Sequence, residues 1–66
     1  MKITANNETF SLDPGTPLPD FLHSLELNPD LVVVERNEEA LTPAEIRQTI
    51  LEDGDRLEIV QIVAGG

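Results

Sequence analysis

The 66-residue sequence has no cysteine, only four lysine and arginine residues, and no apolar run longer than residues 31–34. Without cysteine it has no disulfide, no thiolate zinc site and no thiol nucleophile of its own. Thirteen Asp and Glu residues bring the formal net charge to -9. This charge repels phosphate backbones and anionic lipid headgroups, so we expect neither nucleic-acid nor membrane binding. The short apolar runs exclude a signal-peptide core and a membrane span. We therefore expect a soluble cytoplasmic protein whose partners carry basic surfaces.

The length allows one small domain, because domains usually contain roughly 100 to 200 residues. A chain of this size buries only about 60% of the surface that its unfolded form exposes, which leaves little room to enclose a substrate. The apolar fraction of 39% and the charged fraction of 26% are typical of globular proteins. We predict a single folded domain over residues 1–66, without a deep active site.

The first half of the chain predicts a hairpin followed by a helix. Apolar and polar residues alternate over residues 1–5 and 10–12, on either side of an Asn-Asn turn signal. Thr16 precedes a proline, which is the pattern of a helix N-cap. An apolar stripe then predicts a short helix that ends before Pro29. The stripe consists of Leu18, Phe21, Leu22 and Leu25.

The second half predicts two further strands separated by a short helix. Residues 31–34 are apolar at both odd and even positions, so a strand here would be apolar on both faces. This is typical of a strand in the middle of a sheet. Residues 35–40 are predicted to form a polar loop. Thr42 and Glu45 have the spacing of a capping box, which predicts a short second helix or 3₁₀ segment. Residues 56–63 have strong β character and form the last predicted strand.

This order of elements predicts an α+β fold in which a four-stranded mixed sheet packs on one principal helix. A right-handed crossover from the hairpin through the helix would place the later strands beside the first, parallel to it. The expected architecture is therefore the β-grasp, or ubiquitin-like, fold.

No group of residues has the pattern of a catalytic or metal site. His23, the one histidine, is predicted to be a solvent-facing helix residue. The Asp53-Gly54-Asp55 segment lacks the spaced ligands of a calcium loop and is typical of a tight turn. The glutamates within residues 35–39 indicate a solvated loop surface. We expect no catalytic residue and no metal in the chain itself.

The last predicted strand carries apolar residues on both faces. Leu57 and Ile59 share one face, whereas Val60 and Ile62 share the other with Glu58. The principal helix can cover only one of the two. If Leu57 and Ile59 face the core, then Val60, Ile62 and Glu58 form an exposed apolar strip with a charged rim, which is a candidate docking surface. Alternate residues of the run 31–34 would extend this strip. The alternative is that the twist of the sheet and the second helix cover these side chains.

The sequence ends in Ala64, Gly65 and Gly66, directly after the last strand. We expect residues 64–66 to form a flexible tail. Glycine lacks a Cβ atom, so Gly65 and Gly66 can pass through a narrow channel and deliver the terminal carboxylate into the active site of another protein. The carboxylate of Gly66 is therefore the candidate reactive group.

Over its whole length the chain resembles the ThiS/MoaD family of ubiquitin-like sulfur carriers. The most specific features are the Ala-Gly-Gly ending and the Asp53-Gly54-Asp55 turn before an apolar strand. The molybdopterin branch of the family usually has a longer chain and a Pro-Pro pair shortly before its two glycines. This chain has Ile62-Val63 there instead, which favours the thiamine branch.

The resemblance implies a sulfur carrier for thiazole biosynthesis rather than an enzyme. A ThiF-type adenylyltransferase would use ATP to adenylate the Gly66 carboxylate. A persulfide derived from a cysteine desulfurase would convert the adenylate to a thiocarboxylate, and a ThiG-type thiazole synthase would accept the sulfur. The carrier itself would bind no cofactor. Three alternatives remain open: a carrier for molybdopterin or another thiolation pathway, a ubiquitin-like protein modifier, and a non-covalent interaction domain.

Overall fold

The computed structural model describes residues 1–62, and residues 63–66 lie outside its described part. In this range the chain forms a mixed five-stranded sheet with strand order β2-β1-β5-β3-β4. The strands are β1 (Lys2–Ala5), β2 (Glu8–Ser11), β3 (Val32–Arg36), β4 (Glu39–Ala40) and β5 (Arg56–Gln61). The helices are α1 (Leu18–Ser24) and α2 (Pro43–Gln48), and a 3₁₀ turn covers Pro29–Leu31.

The pairing of the strands confirms the expected β-grasp topology. β1 and β5 run parallel, and the other neighbouring pairs are antiparallel. The predicted hairpin is present, with Ile3 opposite Phe10. Its turn residues Asn6 and Asn7 have φ angles of 50° and 67°. Positive φ at both central residues suits the right-handed twist of the flanking strands, and asparagine tolerates it better than most residues.

The fifth strand corrects the prediction of four strands and of a polar loop over residues 35–40. The first two of these residues extend β3, and Ala40 in β4 pairs with Glu35. Asn37 and Glu38 form a second tight turn with φ angles of 51° and 71°. β4 is a two-residue edge strand with exposed side chains. Such strands have no alternating apolar pattern, which is why the sequence did not reveal this one.

The start of α1 also differs from the prediction. The hydroxyl of Thr16 donates to the carbonyl of Asp13 at 2.6 Å instead of capping the helix, and Pro17 occupies the N-cap position. The backbone of Thr16 is bonded to a segment outside the helix, because its carbonyl accepts from the amide of Leu51 at 2.9 Å. The helix also ends before the predicted boundary, at Ser24, with Glu26 in the left-handed region at φ 63°.

The capping box predicted for α2 is confirmed. The amide of Glu45 donates to the Thr42 hydroxyl at 3.1 Å, and the amide of Thr42 donates to Glu45 Oε1 at 2.9 Å. Hydrogen bonds from Thr42 lower the pKa of Glu45 below its usual value. Ile46 is the buried residue of this helix, so α2 lies against the same core as α1.

One hydrophobic core lies between the sheet and the two helices. The stripe residues Leu18, Phe21 and Leu22 of α1 are buried there, whereas Leu25 is partly buried at its border. The sheet and the remaining elements contribute Ile3, Ala5, Val32, Val34, Ile46, Leu51, Leu57 and Ile59. Neither helix of the described chain is long and apolar enough to cross a membrane.

Candidate functional site

The two faces of β5 are divided as the sequence suggested. Leu57 is fully buried and Ile59 is 8% exposed, whereas Val60 is 63% and Ile62 is 48% exposed. Glu58 is exposed on the same side as Val60. The helices cover the other face of the sheet, so the alternative that Val60 and Ile62 are covered is wrong for residues 1–62.

β3 and the end of the 3₁₀ turn before it add two further apolar residues to this exposed face. Val33 lies directly opposite Val60 in the register. The amide of Ile62 donates to the carbonyl of Leu31 at 2.7 Å, which brings these two residues side by side. Leu31 and Val33 are 46% and 49% exposed. We call the four residues Leu31, Val33, Val60 and Ile62 the outer strip.

A pair of glutamates borders the outer strip. Glu35 lies directly opposite Glu58 in the β3–β5 register. This pair is two residues along each strand from Val33 and Val60, so it lies on the same face. Both are exposed, and neither forms an ion pair within the described chain. Like charges directly opposite each other destabilise a sheet. A partner with a basic residue at this border would relieve that repulsion.

The predicted reactive residues Ala64, Gly65 and Gly66 lie outside the described part of the chain. The last described residue is Ile62, a member of the outer strip. In sequence only Val63 separates the tail from the candidate docking surface. A partner that holds the tail would have the outer strip within reach.

His23 and the Asp53-Gly54 turn have the ordinary structural roles that the sequence indicated. His23 is exposed on α1. Gly54 takes a φ angle of 86° in a tight turn, and Asp53 Oδ1 in the same turn accepts from the amide of Lys2 at 2.7 Å. Within residues 1–62, no group of three or more His, Asp and Glu side chains is placed to hold a metal ion.

Sequence reasoning treated Asp55 only as a turn residue, but the structure gives it a larger role. It is the one buried charged residue of the described chain, 5% exposed. Its Oδ2 accepts from Arg36 Nε at 3.0 Å and from the amide of Glu52 at 2.9 Å, and its Oδ1 accepts from Asn37 Nδ2 at 3.1 Å. These bonds fix the start of β5 to the β3–β4 turn. An Asp after Gly in a turn is too common a pattern to reveal this.

The environment of Asp55 makes folding depend on pH. Burial alone raises the pKa of Asp55, but hydrogen bonds from Glu52, Asn37 and Arg36, with the charge of Arg36, outweigh it and hold the pKa below its usual value. The ionised form therefore stabilises the fold. This contribution is complete above the unfolded-state pKa of about 3.9 and is lost as the pH falls through the lower folded-state pKa.

We expect the Asp55→Asn variant to be less stable than the wild type at pH 7, with a difference that shrinks below about pH 4. Thermal unfolding of both proteins between pH 2 and pH 7 measures it. Comparing the two chains removes the effects of the other carboxylates. A stability difference that stays constant over this range would contradict the role given to the Asp55 charge.

Comparison with known proteins agrees with this architecture. The chain matches the model of the ThiS family over residues 1–66. It belongs to the ThiS family. The sulfur carrier protein ThiS of Bacillus subtilis (strain 168) is 33% identical over 66 residues, which are 100% of this chain and 98% of that protein. The crystal structure of the thiamine biosynthesis protein ThiS from Geobacter metallireducens superimposes with a TM-score of 0.79 at 28% identity, covering 100% of both chains.

The chain is also similar to a longer protein, a thiazole synthase of Magnetococcus marinus. It is 33% identical over 66 residues, which are 100% of this chain and 20% of that protein. The chain thus spans about a fifth of the length of that relative. A carrier-like sequence is therefore present within a protein named for thiazole synthesis.

Proposed function

We propose that this ThiS family member carries sulfur for the formation of the thiazole of thiamine, with the sulfur held on the carboxylate of Gly66. The observation that carries the proposal is the end-to-end similarity to a sulfur carrier protein and to a thiamine biosynthesis protein of the same fold. The chain has no cysteine, so it needs another group to hold sulfur. A terminal carboxylate that follows two glycines is suited to this role.

Loading of sulfur onto Gly66 takes three chemical steps. A carboxylate oxygen of Gly66 attacks the α-phosphorus of ATP in a ThiF-type adenylyltransferase, and pyrophosphate leaves. The terminal sulfur of a persulfide, derived from a cysteine desulfurase, then attacks the acyl carbon and AMP leaves. A partner thiol cleaves the sulfur–sulfur bond of the resulting acyl persulfide, which releases the thiocarboxylate and leaves the donor as a disulfide. Because the carrier has no thiol, every thiol that takes part in these steps belongs to a partner.

A ThiG-type thiazole synthase is the proposed sulfur acceptor. The occurrence of a carrier-like sequence inside a longer thiazole synthase supports this pairing. The enzyme would supply the preorganised electrostatics for the transfer, while the carrier supplies the reactive group on a rigid domain. After the transfer the carboxylate of Gly66 is restored, so the carrier is used again.

The outer strip supports a role as the docking surface for these enzymes. Its four half-exposed apolar residues form one patch on β3, β5 and the residues next to their ends, and the Glu35–Glu58 pair gives the patch a negative border. Exposed apolar patches with a polar rim are typical of protein interaction sites. A partner with an apolar surface and a basic rim fits this arrangement.

The proposal is tested by intact mass spectrometry after incubation with ATP, a ThiF-type adenylyltransferase and a sulfur source. We expect a mass gain equal to sulfur minus oxygen, located in the C-terminal peptide. An unchanged mass with an adenylyltransferase that loads its own carrier would overturn the proposal. Conjugates on gels would instead indicate a protein modifier, and loading only by a molybdopterin-type enzyme would indicate the other carrier pathway.

We expect the Ile62→Asp substitution to weaken binding to the adenylyltransferase by roughly tenfold or more, because it places a charge in the outer strip. Ile50→Asp is the matched control, since Ile50 is 51% exposed against 48% for Ile62 and lies after α2, where its backbone bridges to Pro17. Isothermal titration of both variants measures the affinities, and thermal unfolding checks the fold. Equal affinities for the two variants would show that the outer strip is not the docking surface.

A further inference from the structure

The last part of β5 has an open backbone edge on the side of β1. The amide of Ile62 is paired toward β3, through its bond to the carbonyl of Leu31. Successive residues of a strand point their amides and carbonyls to alternate sides, so those of Gln61 point toward β1. However, β1 ends at Ala5 and the chain turns back there. Within residues 1–62, no strand lies beside Gln61 on the β1 side, whereas on the other side Gln61 is opposite Val32 of β3.

Asn6 marks the point where this edge begins. Its amide donates to the carbonyl of Leu57 at 2.9 Å. Its side chain then takes the place of a further strand residue, because Oδ1 accepts from the amide of Ile59 at 2.8 Å and Nδ2 donates to the carbonyl of Ile59 at 3.0 Å. The next residue with backbone groups facing this side is Gln61. The pairing of β1 with β5 is thus completed up to Ile59 and stops there.

A groove of about 380 Å³ lies directly below this edge, on the helix side of the sheet. Phe10, Leu25 and Leu27 form its apolar wall and are only partly buried against the core. Gln61 lies at one border of the groove, and the exposed carboxylate of Glu8 lies at another. An unpaired strand edge above an apolar groove is the arrangement with which sheets bind extended peptide segments.

We propose that an extended segment of the adenylyltransferase pairs with β5 at Gln61. In this arrangement one backbone residue of the segment bonds the amide and carbonyl of Gln61, and an apolar side chain enters the groove. A neighbouring basic side chain contacts Glu8. The inference rests on the proposed function, because the groove lies on the strand that leads into the tail, where the adenylyltransferase must bind. The net charge of -9 disfavours a second copy of the chain as the occupant.

The exchange rate of the Gln61 amide with water, measured by NMR on the labelled chain with and without the adenylyltransferase, tests this pairing. We expect the exchange to slow at least tenfold in the complex, together with shifts of the Leu25 and Leu27 methyl signals. An unchanged exchange rate in a complex that still loads sulfur would overturn the inference and leave the proposed function intact. A lack of any binding or loading would overturn both. Protection that grows with carrier concentration alone would assign the edge to a second copy and also overturn it.

Gln61→Pro and Gln61→Ala provide the matched variants. Proline removes the amide hydrogen of residue 61 but no hydrogen bond to β3, because the residues on either side of Gln61, such as Ile62, make those bonds. We expect the proline variant to bind the adenylyltransferase roughly five- to tenfold more weakly than the alanine variant, which retains the hydrogen-bond donor. Equal affinities would contradict the pairing. If the proline variant does not fold, the exchange measurement on the wild type still decides the question.

A second matched pair tests the contact at Glu8. Glu8→Lys and Glu39→Lys change the net charge equally, but Glu39 lies in β4, at the opposite edge of the sheet. We expect Glu8→Lys to reduce the affinity for the adenylyltransferase several-fold more than Glu39→Lys does. Equal losses would show that only the overall charge matters, which would contradict a basic side chain at Glu8.

Discussion

Replacement of Gly66 by alanine is expected to reduce sulfur loading by at least about 100-fold, because a misplacement of the reacting group by about 1 Å can cost this factor. A Cβ atom on the last residue would crowd the acyl carbon in a channel fitted to glycine. Intact mass spectrometry under single-turnover conditions measures the rate of thiocarboxylate formation. An extra residue after Gly66 should abolish loading completely, because it converts the carboxylate into an amide bond.

The control for this prediction is Gly15→Ala. Gly15 has a φ angle of 82° and open space where a Cβ atom would lie. Alanine there costs about 1 kcal/mol of stability because of the left-handed backbone, but we expect normal loading. In thermal unfolding we expect a lower midpoint for Gly15→Ala and an unchanged midpoint for Gly66→Ala. Normal thiocarboxylate formation in Gly66→Ala would refute the role proposed for the terminal carboxylate.

Replacement of Asp55 by alanine is expected to destabilise the domain by about 2–3 kcal/mol. The change leaves the guanidinium of Arg36 without its 2.9 Å partner and leaves the amide of Glu52 without its acceptor. Losses of this kind reach about 3–5 kcal/mol in fully buried pairs, but the side chain of Arg36 is 24% exposed and is partly solvated by water. Since small domains are stable by only about 5–15 kcal/mol, urea denaturation should show a large shift.

Glu52→Ala is the matched control for Asp55→Ala. Glu52 also pairs with Arg36, but at 3.8 Å and with a side chain that is 79% exposed. Such surface pairs contribute about 0–1 kcal/mol. The substitution also keeps the backbone amide that donates to Asp55. If the two variants were equally destabilised, the buried carboxylate would have no special role in the fold.

Much of the fold could be predicted from the sequence because its strongest signals are local. The stripe of α1 marked three residues that the structure buries, and the capping box of α2 has both of its hydrogen bonds. In the hairpin, the Asn-Asn pair supplied a turn with positive φ angles. In each case the physical cause lies within a few neighbouring residues, so the sequence is enough to detect it.

The errors occurred where a partner distant in sequence decides the structure. β4 is a strand because β3 offers it backbone hydrogen bonds, not because of its own side chains. Likewise, the carbonyl of Thr16 accepts from the amide of Leu51, 35 positions away, which ties Thr16 to a distant segment. A capping pattern or a polar run gives no information about such distant partners.

The sequence by itself determined the charge of the chain, the order of its main elements, the two faces of β5 and the glycines of its ending, because each depends on composition or on local spacing. Only the tertiary structure decided which residues of the run 31–34 extend the strip, because it places Leu31 and Val33 beside Val60 and Ile62. It also decided that Asp55 is buried and paired with Arg36. In addition, it decided that the pairing of β1 with β5 ends at Asn6, which leaves an edge of β5 above a groove. These features depend on strand register and on where each strand ends, and both are set by packing between segments that lie far apart in the chain.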